Sequence, residues 1–168
     1  MSRVFLGLGS NVGDRLHYLS KAVEKLALIG TVVRLSSVYE TEAVGMGDAR
    51  TFYNMSVEVE TSLSPEDLLK KVKVMEHDIG RTVGTHMKPR EIDIDVLLYG
   101  QTVMHSDVFR VPHAGIPERR FVLEPLNEIA GDVIHPTLRQ TIRQLLQQCS
   151  DGSRVVRTLL SVNELHSI

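Results

Sequence analysis

Two aspartates, Asp93 and Asp95, stand in the stretch MKPREIDIDVLLYG (87–100), which otherwise has the composition of a buried strand. Side chains alternate along a strand, so both carboxylates are expected on one face. The same alternation predicts that Asp93, Asp95, Leu97 and Tyr99 lie on one face of the strand. Ile92, Ile94, Val96 and Leu98 are predicted on the opposite face. Two such carboxylates repel each other unless a cation lies near them, and Mg²⁺ is the usual cation when the partner is a polyphosphate. The alternative is a polar strand face that meets solvent.

Cationic side chains surround this acid pair in the sequence and favour the first interpretation. They lie in the preceding segment, at Arg110, and in VPHAGIPERRF (111–121). These residues are Arg81, Lys88, Arg90, Arg110, His113, Arg119 and Arg120. Phosphoryl transfer needs metal and guanidinium groups to hold the charge that spreads over the transferring group. The sequence thus predicts a polyphosphate site.

The glycines of LGLGSN (6–11) do not form a familiar nucleotide-binding loop. The run GLGSNVG (7–13) does not fit G-x-G-x-x-G, and no G-K-[ST] occurs in the chain. We therefore predict that Gly7 and Gly9 allow close packing rather than cradle a phosphate. Rossmann and P-loop proteins are disfavoured.

A second pair of polar and aromatic residues precedes the acid pair. In FYNMSVEVET (52–61) the alternation directs Phe52 and Asn54 away from the main core. An amide beside an aromatic ring suits a flat heterocycle with a donor and acceptor edge, but this motif alone favours a cross-strand hydrogen bond from Asn54. Glu76 lies on the flank of a predicted helix, where most glutamates are solvated.

Length and composition limit the function classes. The 168 residues are 42% hydrophobic and 24% charged with a net charge of −2, which predicts a single domain over 1–168 and no nucleic-acid partner. The single cysteine, Cys149, and an N-terminus without an apolar leader favour a cytoplasmic protein. No apolar run is long enough to span a membrane. We expect a monomer acting on small molecules.

The elements that must position these residues alternate between strand and helix patterns. Asp14 and Ser64 are predicted helix N-caps, with Gly30 and Gly80 as the C-terminal stops. The predicted strands are Arg3–Gly9, Thr31–Tyr39, Phe52–Thr61, Glu91–Tyr99 and an edge strand Arg154–Leu160, and a last helix is predicted after Thr137. The order strand, helix, strand, strand, helix, strand predicts a ferredoxin-like split βαβ, an α+β fold with a mainly antiparallel sheet. Helices should cover one face and leave the other open to a ligand under long loops.

Several motifs, in order along nearly the whole chain, resemble one family of the folate pathway. They are LGLGSNVGDR, SSVYETEAVG, FYNMSVEVET, PREIDIDVLLYG and VPHAGIPERRFVLEPL. In these motifs the chain is similar to 6-hydroxymethyl-7,8-dihydropterin pyrophosphokinases. The resemblance implies a ferredoxin-like fold, transfer of the pyrophosphoryl group of ATP to the pterin hydroxymethyl oxygen, and two Mg²⁺ ions.

The resemblance also implies a role for each candidate residue. Asp93 and Asp95 would bind both metals, with Asp95 close to the pterin hydroxyl. The pterin would be held by Thr41, Glu42, Ala43, Val44, Phe52, Asn54 and Phe121. The nucleotide would be contacted by Glu76, Arg81, Arg90, Arg110, His113 and Arg119. Of these, Arg81 and Arg90 would stabilise the transferring group as catalytic residues.

The chain departs from the family pattern in two loops. In GRTVGTHMKPRE (80–91), Val83 stands at an arginine position and Met87-Lys88 replace Trp-Gly, while Glu42-Ala43 replace two prolines. The first loop closes over ATP and pterin in the family, so its changes bear on closure and rate. A catalytically weak pterin- or nucleotide-binding module on the same fold is therefore the alternative. A ferredoxin-like nucleic-acid or metal-binding domain is disfavoured by the near-neutral charge.

His86 or Lys88 could replace the cation missing at Val83. We expect a double variant, His86→Ala with Lys88→Ala, to release AMP from ATP more slowly than the unchanged chain, because it lacks the positive charge expected to offset the phosphates. Steady-state turnover measures this. Unchanged turnover would contradict the hypothesis that His86 or Lys88 replaces the missing cation.

Overall fold

Eight strands and four α-helices make up the parts of the chain described by the computed structural model, residues 1–42, 51–80 and 91–162. The strands are β1 (Ser2–Ser10), β2 (Thr31–Leu35), β3 (Tyr39–Thr41), β4 (Phe52–Thr61), β5 (Asp93–Tyr99), β6 (Met104–His105), β7 (Arg110–Val111) and β8 (Val155–Arg157). The helices are α1 (Arg15–Leu26), α2 (Pro65–Ile79), α3 (Arg120–Ala130) and α4 (Ile142–Gln148). A short 3₁₀ turn, Ile116–Glu118, precedes α3.

The main sheet has the strand order β5-β1-β4-β3-β8, and β2 also pairs with β4. All of these pairs are antiparallel. With α1 and α2 as the crossover helices, this is the predicted ferredoxin-like α+β arrangement. The fold class is confirmed, and β1 lies between the two strands that carry the candidate site residues.

The strand predicted over Thr31–Tyr39 is broken into β2 and β3. Ser36, between them, donates its backbone N–H to Ser56 O at 2.9 Å, while its Oγ accepts the Ser56 N–H at 2.8 Å. A side-chain oxygen thus takes a place that a carbonyl would hold in a regular ladder. The interruption shifts the register before Tyr39 pairs with Asn54.

The predicted N-caps of the first two helices are confirmed. Asp14 Oδ1 accepts the His17 N–H and Ser64 Oγ accepts the Asp67 N–H, each at 3.1 Å. Gly80 ends α2 as predicted, but Gly30 does not end α1, which stops at Leu26. Glycine is needed at position 30 because a Cβ there would lie 2.4 Å from the Glu60 carbonyl oxygen.

The C-terminal third differs most from the prediction. Helix α3 was not predicted, and it contains Pro125, a residue type that usually interrupts a helix. The last helix is capped by Thr141, in a capping box with Gln144, and not by Thr137. Arg139, with φ of 62°, prevents a helix from running on from Thr137. The predicted edge strand is present but shorter.

Two hydrophobic cores lie on opposite faces of the sheet. Helices α1 and α2 cover the face that presents Val4, Leu6 and Leu8. Helices α3 and α4 pack against Phe5 and Leu97 on the other face, where helices were not expected. A cavity on this face lies beside the first turn of α3.

A β-bulge in β5 changes the predicted alternation. Leu6 pairs with Val96 but Phe5 pairs with Leu98, so Leu97 is an extra residue. Leu97 and Leu98 both join the second core, while Tyr99 turns to the first and donates its hydroxyl to Leu63 O at 2.6 Å. The predicted sheet faces of Leu98 and Tyr99 are wrong because of this bulge.

Within the described ranges, no helix has the length and apolar character needed to cross a membrane.

The contact at Gly30 gives a stability prediction. Gly30→Ala places a methyl group 2.4 Å from Glu60 O and 2.7 Å from Val59 Cγ1, so the strand must shift. We expect the free energy of unfolding to fall by about 1–3 kcal/mol, measured by urea denaturation. Gly152→Ala is the matched control, because a Cβ there meets nothing within 4 Å. Equal stabilities of the two variants would contradict this reading of Gly30.

Candidate active site

Two glycines of β1 form the floor of a cavity of about 620 Å³ on the open part of the sheet. The strand register places each glycine between a polar residue of β4 and an aspartate of β5, in the rows Asn54–Gly9–Asp93 and Ser56–Gly7–Asp95. Because glycine has no side chain, the floor between the two polar edges is bare backbone. A flat molecule can therefore reach both edges at once.

Asn54 forms one edge and is nearly fully buried. Its Nδ2 donates to Thr41 Oγ1 at 2.8 Å, which is the cross-strand bond that the sequence left open. Its Oδ1 lies 2.7 Å from the point where a Cβ of Gly9 would stand. The amide is thus fixed by Thr41 and has room only because residue 9 is glycine.

Aromatic rings from two elements line the same cavity. Phe52 comes from the start of β4 and Phe121 from the first turn of α3. Both are half-buried, so part of each ring is available to a ligand. Thr41 and Glu42 line the same cavity at the end of β3.

Asp93 and Asp95 form the opposite edge, and a histidine stands beside them. The Asp95 side chain is 51% exposed, and its Oδ1 lies 4.0 Å from His113 Nε2. His113 Nδ1 accepts the Gly115 N–H at 3.0 Å, which assigns the proton of the neutral ring to Nε2. The N–H of this tautomer is therefore on the nitrogen nearer Asp95.

The donor set at this edge suits a metal that keeps open positions. Among the described residues, no three of His, Cys, Asp or Glu come together as a closed metal cage. Mg²⁺ is typically held by one or two carboxylates and completes its shell with water and phosphate oxygens. Asp93 and Asp95 on one strand face fit that requirement.

A family model described as 7,8-dihydro-6-hydroxymethylpterin-pyrophosphokinase matches residues 5–131. The chain belongs to this family. It is 43% identical over 144 residues to the 2-amino-4-hydroxy-6-hydroxymethyldihydropteridine pyrophosphokinase of Aquifex aeolicus, covering 86% of the chain and 90% of that protein. It is also 43% identical to the Bacillus subtilis enzyme of the same name, covering 77% and 78% of the two.

Longer relatives contain the same region as part of a larger protein. The chain is 42% identical to the folate synthesis bifunctional protein of Pisum sativum, covering 78% of the chain but only 26% of that protein. A crystal structure of Plasmodium falciparum HPPK-DHPS aligns with 88% of this chain and with 43% of the Plasmodium chain. The TM-score is 0.72 and the sequence identity is 18%. This structural likeness supports the fold.

Glu76, a family nucleotide-site residue by resemblance, has a structural partner here. Its Oε2 accepts the Ile94 N–H at 2.7 Å, and Lys73 Nζ lies 3.5 Å from its Oε1. Ile94 stands between the two aspartates on β5, the edge strand of the sheet. Glu76 thus braces the backbone that carries the acid pair, although it does not line the cavity.

The predicted cationic residues are distributed unevenly. Arg119 lines the cavity, while Arg110 lies on β7 and is not among the residues that line it. Arg81 and Arg90 lie outside the described residues, as do Ala43 and Val44. Their predicted contacts stay predictions.

Asp151 and Ser153, which were not among the predicted site residues, line the cavity from the C-terminal segment. The Ser153 hydroxyl, with the backbone N–H groups of Arg120 and Ser153, lowers the pKa of the Asp151 carboxyl. An aspartate before Gly152 signals a turn, but nothing local indicates that this turn folds back onto the site. Glu118, Ser56, Leu97 and Val122 also line the cavity and were not predicted to do so.

The brace at Ile94 can be tested directly. Glu76→Ala removes the acceptor at 2.7 Å from the Ile94 N–H, so we expect faster amide hydrogen exchange at Ile94 and a loss of about 1–2 kcal/mol in unfolding free energy. Glu76→Gln keeps an acceptor oxygen and should retain most of the protection. Lys73→Ala is the control for the neighbouring charge. Unchanged exchange at Ile94 in Glu76→Ala would refute the brace.

Proposed function

We propose that the protein transfers the pyrophosphoryl group of ATP to the hydroxymethyl oxygen of 6-hydroxymethyl-7,8-dihydropterin, releasing AMP. The observation that carries this proposal is the bare floor of Gly7 and Gly9 between the Asn54 amide and the aspartates Asp93 and Asp95. One edge suits a heterocycle and the other suits a metal–polyphosphate. Membership of the pyrophosphokinase family, and two relatives named for this reaction, support the same reaction.

The acceptor would lie flat in the cavity. Phe52 and Phe121 would contact its ring faces, since aromatic pairs favour stacked or edge-to-face arrangements. Asn54 would accept a hydrogen bond from the ring edge through Oδ1 and donate one through the second N–H of Nδ2, since Thr41 uses only one of the two. Thr41, Glu42, Ala43 and Val44 would complete the pterin pocket. The hydroxymethyl group would then point toward Asp95.

The nucleotide would bind at the opposite edge. Asp93 and Asp95 would hold two Mg²⁺ ions, which when bound neutralise phosphate charge and orient the polyphosphate. His113 and Arg119 would contact phosphate or ribose. Glu76, Arg81, Arg90 and Arg110 are the remaining predicted nucleotide contacts.

The reaction is a displacement at the β-phosphorus of ATP. The hydroxymethyl oxygen forms a bond to that phosphorus, the bond to the bridging oxygen of the α-phosphate breaks, and AMP leaves with the electron pair. The hydroxyl proton passes to the Asp95 carboxylate or to a phosphate oxygen. Arg81 and Arg90 would stabilise the charge on the transferring group, and no covalent enzyme intermediate forms.

The setting of the reaction is part of the proposal. We propose a cytoplasmic, monomeric, single-domain enzyme over 1–168 without a nucleic-acid partner; the single cysteine supports the location, and the net charge of −2 supports the lack of a nucleic-acid partner. A second candidate is a weakly catalytic pterin- or nucleotide-binding module. It is motivated by Val83 and by Met87-Lys88, where the family has arginine and Trp-Gly.

The decisive assay is AMP release from ATP and Mg²⁺, with and without 6-hydroxymethyl-7,8-dihydropterin. We expect pterin-dependent AMP, and a loss of at least about a hundredfold in Asp95→Ala, because a group that organises the transition-state charge is removed. Asp132→Ala is the matched control, since its side chain is 88% exposed and pairs with Arg143 rather than lining the cavity. Pterin binding without AMP would favour the binding module.

A further inference from the structure

The segment 149–157, here called the C-terminal strap, forms one wall of the cavity. At one end, β8 pairs with β3, so that Val155 stands opposite Thr41 and Arg157 opposite Tyr39. The backbone N–H of Arg154 also donates to Glu42 Oε1 at 3.4 Å. The strap is thereby joined to the strand that carries Thr41, the residue that fixes the Asn54 amide.

At its other end the strap holds the first turn of α3. Asp151 Oδ2 accepts the backbone N–H of Arg120 at 2.9 Å. The Arg120 side chain returns the contact, with Nε donating to Asp151 O at 2.8 Å and Nη2 donating to Cys149 O at 3.3 Å. The residue at the N-cap position, Arg119, makes no capping bond with its own side chain. Asp151 therefore supplies the acceptor that the start of α3 lacks.

The Asp151 carboxylate is itself fixed within the strap. Its Oδ1 accepts the Ser153 N–H at 2.9 Å and the Ser153 hydroxyl at 2.5 Å. One carboxylate thus joins a turn that leads into β8 to the helix turn that carries Phe121. Both Asp151 and Ser153 line the cavity between the Thr41 side and the Phe121 side.

We propose that Asp151 is a positioning residue for the acceptor substrate. By joining the strap to α3, it sets the spacing between the side of the cavity formed by Thr41 and the side formed by Phe121. The inference rests on the proposed function and adds a residue outside the part of the chain matched by the family model, 5–131. Asp151 acts through Phe121 and not on the reacting atoms. Its loss should therefore weaken pterin binding more than it affects ATP.

The test compares substrate affinities in Asp151→Ala. We expect the Kd for 6-hydroxymethyl-7,8-dihydropterin, from equilibrium fluorescence titration, and its KM to rise about tenfold, the effect of losing one well-made set of hydrogen bonds. The KM for ATP should rise by less than the pterin KM, because Arg119, next to Arg120, is only one of the residues proposed to contact ATP. Asp151→Asn keeps one acceptor oxygen and should recover part of the affinity. This conservative variant also serves if Asp151→Ala folds poorly.

Thr141→Ala is the matched stability control. It removes the N-cap of α4, away from the cavity, and should lower the thermal midpoint without changing either KM. An unchanged pterin Kd in Asp151→Ala would overturn the positioning role. Equal increases in the KM for pterin and the KM for ATP in Asp151→Ala, or the same increases in Thr141→Ala, would overturn it as well. Absence of pterin-dependent AMP in the unchanged protein would instead reject the proposed function, so the two failures are distinguishable.

Discussion

The site depends on one constraint, which is that β1 is the strand between β4 and β5 and has glycine at positions 7 and 9. Alternation puts both glycines on the cavity face, level with Asn54 and Ser56 on one side and the two aspartates on the other. A Cβ on Gly9 would lie 2.7 Å from Asn54 Oδ1, so any other residue would displace the amide. Because the backbone between the two edges is bare, bound ligands can contact both edges at once.

Elements outside the cavity hold each edge in place. Glu76 accepts the N–H of Ile94, between the aspartates, so an edge strand that carries repelling charges has a fixed backbone at that point. On the other side, Thr41 fixes Asn54, and the C-terminal strap joins β3 to the first turn of α3. Such supporting contacts are what catalysis by positioning requires, because small displacements of the reacting groups are costly.

Local rules in the sequence predicted the features that depend on neighbouring residues alone. The caps at Asp14 and Ser64, the strand Phe52–Thr61 and the shared face of Asp93 and Asp95 follow from helix and strand periodicity. Three features do not. The bulge at Leu97, helix α3 around Pro125, and the return of Asp151 to the site depend on tertiary packing. The cavity wall formed by the strap could therefore not be predicted from the sequence, whereas Asn54 and the two aspartates at its polar edges could.

In the proposed function, Asp93 and Asp95 hold the metal–nucleotide above the glycine floor. The most direct test of this role is an electron paramagnetic resonance titration with Mn²⁺, in the presence of a non-hydrolysable ATP analogue and the pterin. We expect two tightly bound Mn²⁺ ions per chain, and loss of tight binding in the double variant Asp93→Asn, Asp95→Asn. Undiminished Mn²⁺ binding in that variant, with the fold intact by circular dichroism, would contradict it.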